Sequence, residues 1–207
     1  MRPLFLVVSC VLLLCPTGIA LADAPEPRAE ATAAAHEAET AFDRPFAFAS
    51  YGALRGGSYL AGGVGGRARW EPWPFFGVEV YLEATLVDWP GALRHDYPNG
   101  FNVYVPIRFG RFRLRPFFGF CDVVSLIEPA QEGSPRADDV MLGAHLGVGA
   151  EFSFGTHWSL FADAQVDGYA GHDRATARWT GNVDEELRAF FTAQLNLGVQ
   201  FHFGAAR

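Results

Sequence analysis

The chain has 207 residues, half of them hydrophobic, with 23 glycines, 19 phenylalanines, 5 tryptophans and a formal net charge of −7. That length supports one domain with a full core, and glycine and aromatics at this level suit tight turns and pleated surfaces better than helices. The negative charge argues against a nucleic-acid partner, because phosphate binding needs a basic face.

Residues 1–22 read as a secretory signal. Arg2 supplies the charged start, 4–14 is an apolar run too short to span a membrane comfortably, and Ala20-Leu21-Ala22 is a small-x-small cleavage site. Cleavage there leaves Cys121 as the one cysteine, so neither an intramolecular disulfide nor a cysteine-based zinc site is expected. Residues 23–45, rich in Ala, Glu and Pro, read as a flexible leader.

From Phe46 onward the dominant period is two, as in half-buried strands. The first strand, near 46–54, has an ambiguous face, and the second, near 59–70, is glycine-rich. The third sets Val78, Val80, Leu82, Ala84 and Leu86 against Glu79, Tyr81, Glu83 and Thr85. The fourth sets Phe101, Val103, Val105, Ile107 and Phe109 against Asn102, Tyr104, Pro106 and Arg108. The fifth is rougher, with Leu114, Phe118 and Phe120 opposite Arg113, Arg115 and Cys121. The sixth alternates Val140, Leu142, Ala144, Leu146, Val148, Ala150 and Phe152 with Gly143, His145, Gly147, Gly149 and Glu151. The seventh sets Trp158, Leu160, Ala162, Ala164 and Val166 against Ser159, Phe161, Asp163, Gln165 and Asp167. The eighth is clearest: Ala189, Phe191, Ala193, Leu195, Leu197, Val199, Phe201 and Phe203 share one face, and Arg188, Thr192, Gln194, Asn196, Gly198, Gln200 and His202 the other. Residues 204–207 form a tail.

The connections alternate in length. Short turns fall at 71–74, at Gly110-Arg111 (a type II′ hairpin by its leading glycine) and at 155–157; longer loops fall at 87–99, 125–138 and 169–186. Pro106 and Pro116 remove ladder donors from adjacent strands, which predicts a bulge or kink there.

Alternation alone does not say which face meets water. Strands of about ten residues, long enough to cross a bilayer tilted, favour an apolar outside. So do glycines set beside long charged residues on the polar face, as a narrow interior requires. Aromatics also gather at both ends: Trp70, Trp73, Trp158, Phe201 and Phe203 at the turn end, Trp89, Tyr97 and Trp179, with Tyr51, Phe101 and Tyr169, at the loop end. Such girdles mark two membrane interfaces. The expected fold is therefore all-β: an eight-stranded antiparallel up-and-down transmembrane barrel over 46–203, with short periplasmic turns and longer outer loops.

The signal end, the alternating strands and the final stretch Gln194-Leu195-Asn196-Leu197-Gly198-Val199-Gln200-Phe201-His202-Phe203 resemble the small outer-membrane barrels of the OmpA/OmpX type. The resemblance covers about 46–203. It implies export to a bacterial outer membrane, contact with outer-membrane lipid and recognition of a terminal aromatic by the barrel-assembly machinery. Here four residues follow Phe203.

The inward charges form the candidate site: Arg67, Arg69, Glu79, Glu83, Arg108, Arg113, Arg115, His145, Glu151, Asp163, Asp167 and Arg188. Arg108 faces Arg113 across the short turn, so carboxylates, with Glu79, Glu83 and Glu151 nearest, must compensate. The expectation is an ion-pair network filling the interior of a non-enzymatic barrel with an anchoring or adhesive role, its three long loops being candidate contacts for surface ligands. The alternatives are a narrow channel for ions or small apolar solutes, and a soluble lipocalin-like exported barrel. A catalytic alternative rests on His157-Trp158-Ser159, whose spacing resembles the His-x-Ser pair of barrel lipid A deacylases. No cofactor is expected, and His95-Asp96, Asp138-Asp139 and His172-Asp173 have no spacing that specifies a metal.

Overall fold

The computed structural model describes residues 40–57, 60–89, 92–129, 137–172 and 187–206. It holds β1 (Phe46–Gly56), β2 (Ala61–Trp73), β3 (Phe76–Trp89), β4 (Ala92–Tyr104), β5 (Ile107–Phe109), β6 (Phe112–Pro129), β7 (Ala137–Ser153), β8 (Trp158–His172) and β9 (Leu187–Phe203), preceded by a 3-10 turn at Ala41–Asp43. All ladders are antiparallel; consecutive strands pair, except that β4 pairs with β6, and β1 pairs with β9 to close the sheet. β4 and β5 lie in line against β6 and occupy one place in the ring. The result is a closed eight-stranded up-and-down barrel.

The register fixes its geometry. From Phe46 the partners run Trp70, Val78, Val103, Phe118, Leu146, Val166 and Ala193, and return to β1 at Gly56, ten residues farther along. Eight strands with that stagger tilt about 40° from the axis and leave an interior only wide enough for side chains.

The faces follow the two-residue period, with polar groups in and apolar groups out. Outward Leu82, Leu142, Leu146 and Leu197 are 65–69% exposed, whereas inward Arg113, Arg115 and Asp167 are fully buried. A soluble barrel has the opposite polarity; this one is arranged as a transmembrane barrel is. On β1, Phe46, Phe48 and Leu54 point out and Ala47, Ala49, Tyr51, Ala53 and Arg55 point in. One outward polar pair interrupts the belt: Asn99 Nδ2 donates to Asp122 Oδ2 at 2.7 Å across β4 and β6.

The prolines act differently from expectation. Tyr104 pairs with Phe117 and Ile107 with Leu114, so the register is the same on both sides of Pro106. The missing donors interrupt the ladder without inserting a bulge, and Val105 N still donates to Pro116 O at 3.2 Å. The register shift lies instead between Trp70 and Trp73, around Pro72.

The predicted loops are shorter than the sequence suggests. Residues 87–99 are almost wholly strand, because β3 reaches Trp89 and β4 starts at Ala92. Alternation there is masked by polar residues on both faces: Arg94 and Asp96 point in and pair at 2.7 Å, while His95 and Tyr97 point out. Likewise 125–129, 137–138, 169–172 and 187 onward are strand, leaving 130–136 and 173–186 outside the described residues.

Candidate functional site

Strand parity brings most of the predicted charges into one layer near the turn end. Arg67 and Arg69 come from β2, Glu79 from β3, Arg113 and Arg115 from β6, Glu151 from β7 and Asp163 from β8; Glu71, at the end of β2, completes it. Arg67 meets Asp163 at 2.5 Å and Glu79 at 3.3 Å. Arg69 meets Glu151 at 2.6 Å and Glu79 at 3.0 Å. Arg113 meets Glu71 at 2.6 Å and also Glu151. Arg115 meets Asp163 at 2.9 Å and Glu79 at 3.6 Å. Four arginines thus face four carboxylates, and all eight are buried. Formal neutrality matters here, since an unpaired ion in such a layer would keep its full desolvation cost.

Arg108 pairs with Arg113 in the register the two-residue turn sets, and Gly110 has the positive φ of 60° such a turn needs. The repulsion is relieved chiefly by Glu71, 2.6 Å from Arg113 and 3.4 Å from Arg108. The sequence places Glu71 in a turn expected from residue 71, three residues before the end of β2 at Trp73 lets the turn begin. Glu83 is not beside that pair. It stands nearer the loop end, where it accepts from the Tyr51 hydroxyl at 2.9 Å and from Gln194 Nε2 at 2.8 Å, and meets Arg55 at 3.4 Å. His145 Nε2 lies 2.5 Å from Asn102 Oδ1, and Asp167 accepts from Gln165 and Thr192. Arg188 falls where only the strand backbone is described. Arg55, Glu71, Arg94, Asp96 and Asp139 are buried members that the sequence reading leaves out.

Between the charges sit aromatic rings. Each of the six inward tyrosine and phenylalanine rings on strand residues whose side chains are described has an inward glycine as a direct cross-strand partner. The pairs are Tyr51 with Gly65, Tyr81 with Gly100, Tyr104 with Gly77, Phe117 with Gly147, Phe161 with Gly198 and Tyr169 with Gly143. The space is already taken: a Cβ at Gly77 would lie 2.2 Å from the Tyr104 ring, and one at Gly147 2.4 Å from that of Phe117. Small beside large fills a narrow barrel at native density. Nearer the loop end, Tyr81, Cys121, Val123, Met141 and Tyr169 form an apolar cluster across the lumen.

The girdles are unequal. At the turn end Trp70, Trp73, Trp158 and Phe201 point out among Phe46, Phe75, Phe109, Phe112, Phe152 and Phe154. Phe203 stacks on Phe46 at 5.5 Å, and Trp158 packs on Phe201 at 4.9 Å. At the loop end Tyr97 points out, but Tyr51 and Tyr169 are buried inside. Phe101 points out below that edge, paired with Phe120. Trp179 lies outside the described residues, and only the backbone of Trp89 is described.

The turn-end mouth holds a feature the sequence did not suggest. Residues 40–45, read as the end of a flexible leader, are tied to the rim. Phe42 is fully buried, with Arg113 4.3 Å over its ring and His202 edge-on at 5.9 Å. Asp43 meets Arg108 at 3.2 Å, and Arg108 also donates to Phe42 O. Ser159 does not work with His157. Its hydroxyl is inside, 2.9 Å from His202 Nε2, while His157 stacks on outward Phe201.

No protein-family model and no curated protein matches the chain. Solved structures do. Neisserial surface protein A (NspA) superposes with a TM-score of 0.53 at 12% identity, covering 78% of this chain and 97% of that one. The fold is that of the small outer-membrane barrels. The outer membrane protein OprG from Pseudomonas aeruginosa gives 0.52 at 10% identity, covering 82% and 99%. A major outer membrane protein from Thermus thermophilus gives 0.51 at 14%, covering 77% and 99%. At such identities the likeness concerns architecture and carries no interior residue across.

Proposed function

We propose that the chain is exported, by way of a cleaved signal at 1–22, to a bacterial outer membrane, where it is a non-enzymatic barrel with a plugged interior. Its role is to anchor and present the two long loop-end connections, 130–136 and 173–186, to surface ligands. The neutral layer of four arginines and four carboxylates carries this reading. Its members are at most 6% exposed, and their partners lie across the lumen, where a conducting pore would hold water. The apolar cluster around Tyr81 and Tyr169 adds a second layer of a different kind. The outward belt and the turn-end aromatic ring suit outer-membrane lipid and its interface, and the final strand, ending in Phe201 and Phe203, is the segment for the barrel-assembly machinery to engage. A hydrolytic reading has less support: the buried Ser159–His202 pair has no carboxylate hydrogen-bonded to the histidine among the described contacts.

The test is reconstitution of the mature chain in planar bilayers. The expected trace has no unitary current steps. Reproducible steps that change size in Arg115→Ala would overturn the plug. A mature chain that stays monodisperse without detergent would overturn the membrane placement itself.

A further inference from the structure

We infer that the turn-end mouth is a binding site for a short segment bearing an aromatic ring followed by a carboxylate, and that the chain fills it in cis with Phe42–Asp43. The receptor side is built by the barrel. Arg113 is held from behind by Glu71 and Glu151, and His202 by Ser159 and Gln200, so neither depends on the segment for its position. Between them they leave a slot one ring wide, with a cation on the ring face and an imidazole at its edge. Both flanking groups are at most 1% exposed with Phe42 in place.

The polar contacts give the site a direction. Ala41 N donates to Gly155 O at 3.0 Å and to Ser153 Oγ at 3.1 Å, and the Phe42 carbonyl accepts from Arg108. The Asp43 carboxylate has two tasks: it meets Arg108 at 3.2 Å, and it accepts from Thr40 N at 2.8 Å, closing the turn that presents the ring. An aromatic residue without the carboxylate would lose both the turn and the ion pair. A carboxylate without the ring would leave the slot beneath Arg113 empty. The segment is joined to the barrel by a two-residue link to β1, whose Arg44 donates to Thr156 O at 2.9 Å and Gly204 O at 2.6 Å. Such a short tether gives the cis occupant a high effective concentration over any competitor. The site shares Arg113 with the interior charged layer, but its tests read docking at the mouth and not conductance, so either reading can fail without the other.

Two measurements on the full mature chain test it. In an Ala41→Cys, Cys121→Ser background, a water-soluble maleimide should label the thiol introduced at position 41 at least tenfold more slowly than it labels an Ala206→Cys control. Adding Phe42→Ala should abolish that protection. Equal rates at the two positions, or protection that survives Phe42→Ala, would overturn the docking. In the second measurement, a labelled acetylated peptide of residues 39–44 is titrated into a Phe42→Ala, Asp43→Ala variant whose folding is verified by heat-modifiable migration. Saturable binding is expected, at least tenfold weaker to the intact chain and at least tenfold weaker for peptides lacking either the ring or the carboxylate. Absent binding, or binding indifferent to ring and carboxylate, would overturn the recognition site.

Discussion

Replacing Glu151 by glutamine keeps its size and removes one charge from the interior layer. Glu151 is 1% exposed and accepts from Arg69 at 2.6 Å and from Arg113. After the change four arginines face three carboxylates. Breaking a buried pair costs about 3–5 kcal/mol, mostly as the penalty of the ion left behind. Arg115, 2.5 Å from Glu151, keeps Asp163 at 2.9 Å, Arg69 keeps Glu79 at 3.0 Å and Arg113 keeps Glu71 at 2.6 Å, so none of the three is stranded and the lower end, about 3 kcal/mol, is expected. Adding Arg113→Met restores three against three and should recover at least about 1 kcal/mol, because residues in one network couple non-additively. The assay is urea unfolding in lipid vesicles followed by tryptophan fluorescence, with ΔG from linear extrapolation and barrel closure checked by heat-modifiable migration. A cost below about 1 kcal/mol for the single change, or strict additivity of the pair, would refute the reasoning.

Leu197→Arg places a charge on an outward position of β9 that is 69% exposed. Near the bilayer midplane it should cost about 2–4 kcal/mol and reduce assembly in vesicles; an undiminished folded yield would argue that the position does not face hydrocarbon. Gly77→Val should cost about 1–3 kcal/mol by overpacking, since a Cβ there meets the Tyr104 ring at 2.2 Å, whereas Gly52→Ala, with nothing within 4 Å, should change stability little. Equal shifts in the two unfolding midpoints would refute the ring-and-glycine account.

The period of two made the outer wall legible. Leu195, Leu197 and Val199 could alternate with Gln194, Asn196 and Gln200 on one strand in one way only, and the Gly110 turn then fixed Arg108 opposite Arg113. The same rule lost its hold where both faces are polar. Beyond Val87 the outward face mixes Leu93 with His95, Tyr97 and Asn99, so Arg94 and Asp96 read as loop, although their inward parity is unbroken. Tyr51 and Tyr169 escape a reading by composition because a tyrosine suits an interface and an interior equally well. The signal that separates the two cases is the partner: an inward glycine one register step across makes room for an inward ring. The docking of Phe42 had no periodic signature, since a single turn carries none. Its one local sign was Thr40 followed three residues later by Asp43, whose carboxylate accepts from the Thr40 backbone N–H.

The interior layer also bears on the order of assembly. Arg67–Asp163, Arg69–Glu151 and Arg113–Glu71 join strands that share no ladder. A growing sheet can therefore join Arg69 to Glu79 across β2 and β3, or Arg113 to Glu151 across β6 and β7, and still leave the cross-lumen pairs apart. They find one another only when β1 meets β9. Closing the seam and completing the charged layer are then a single event, and a half-inserted sheet holds its ions only partly paired.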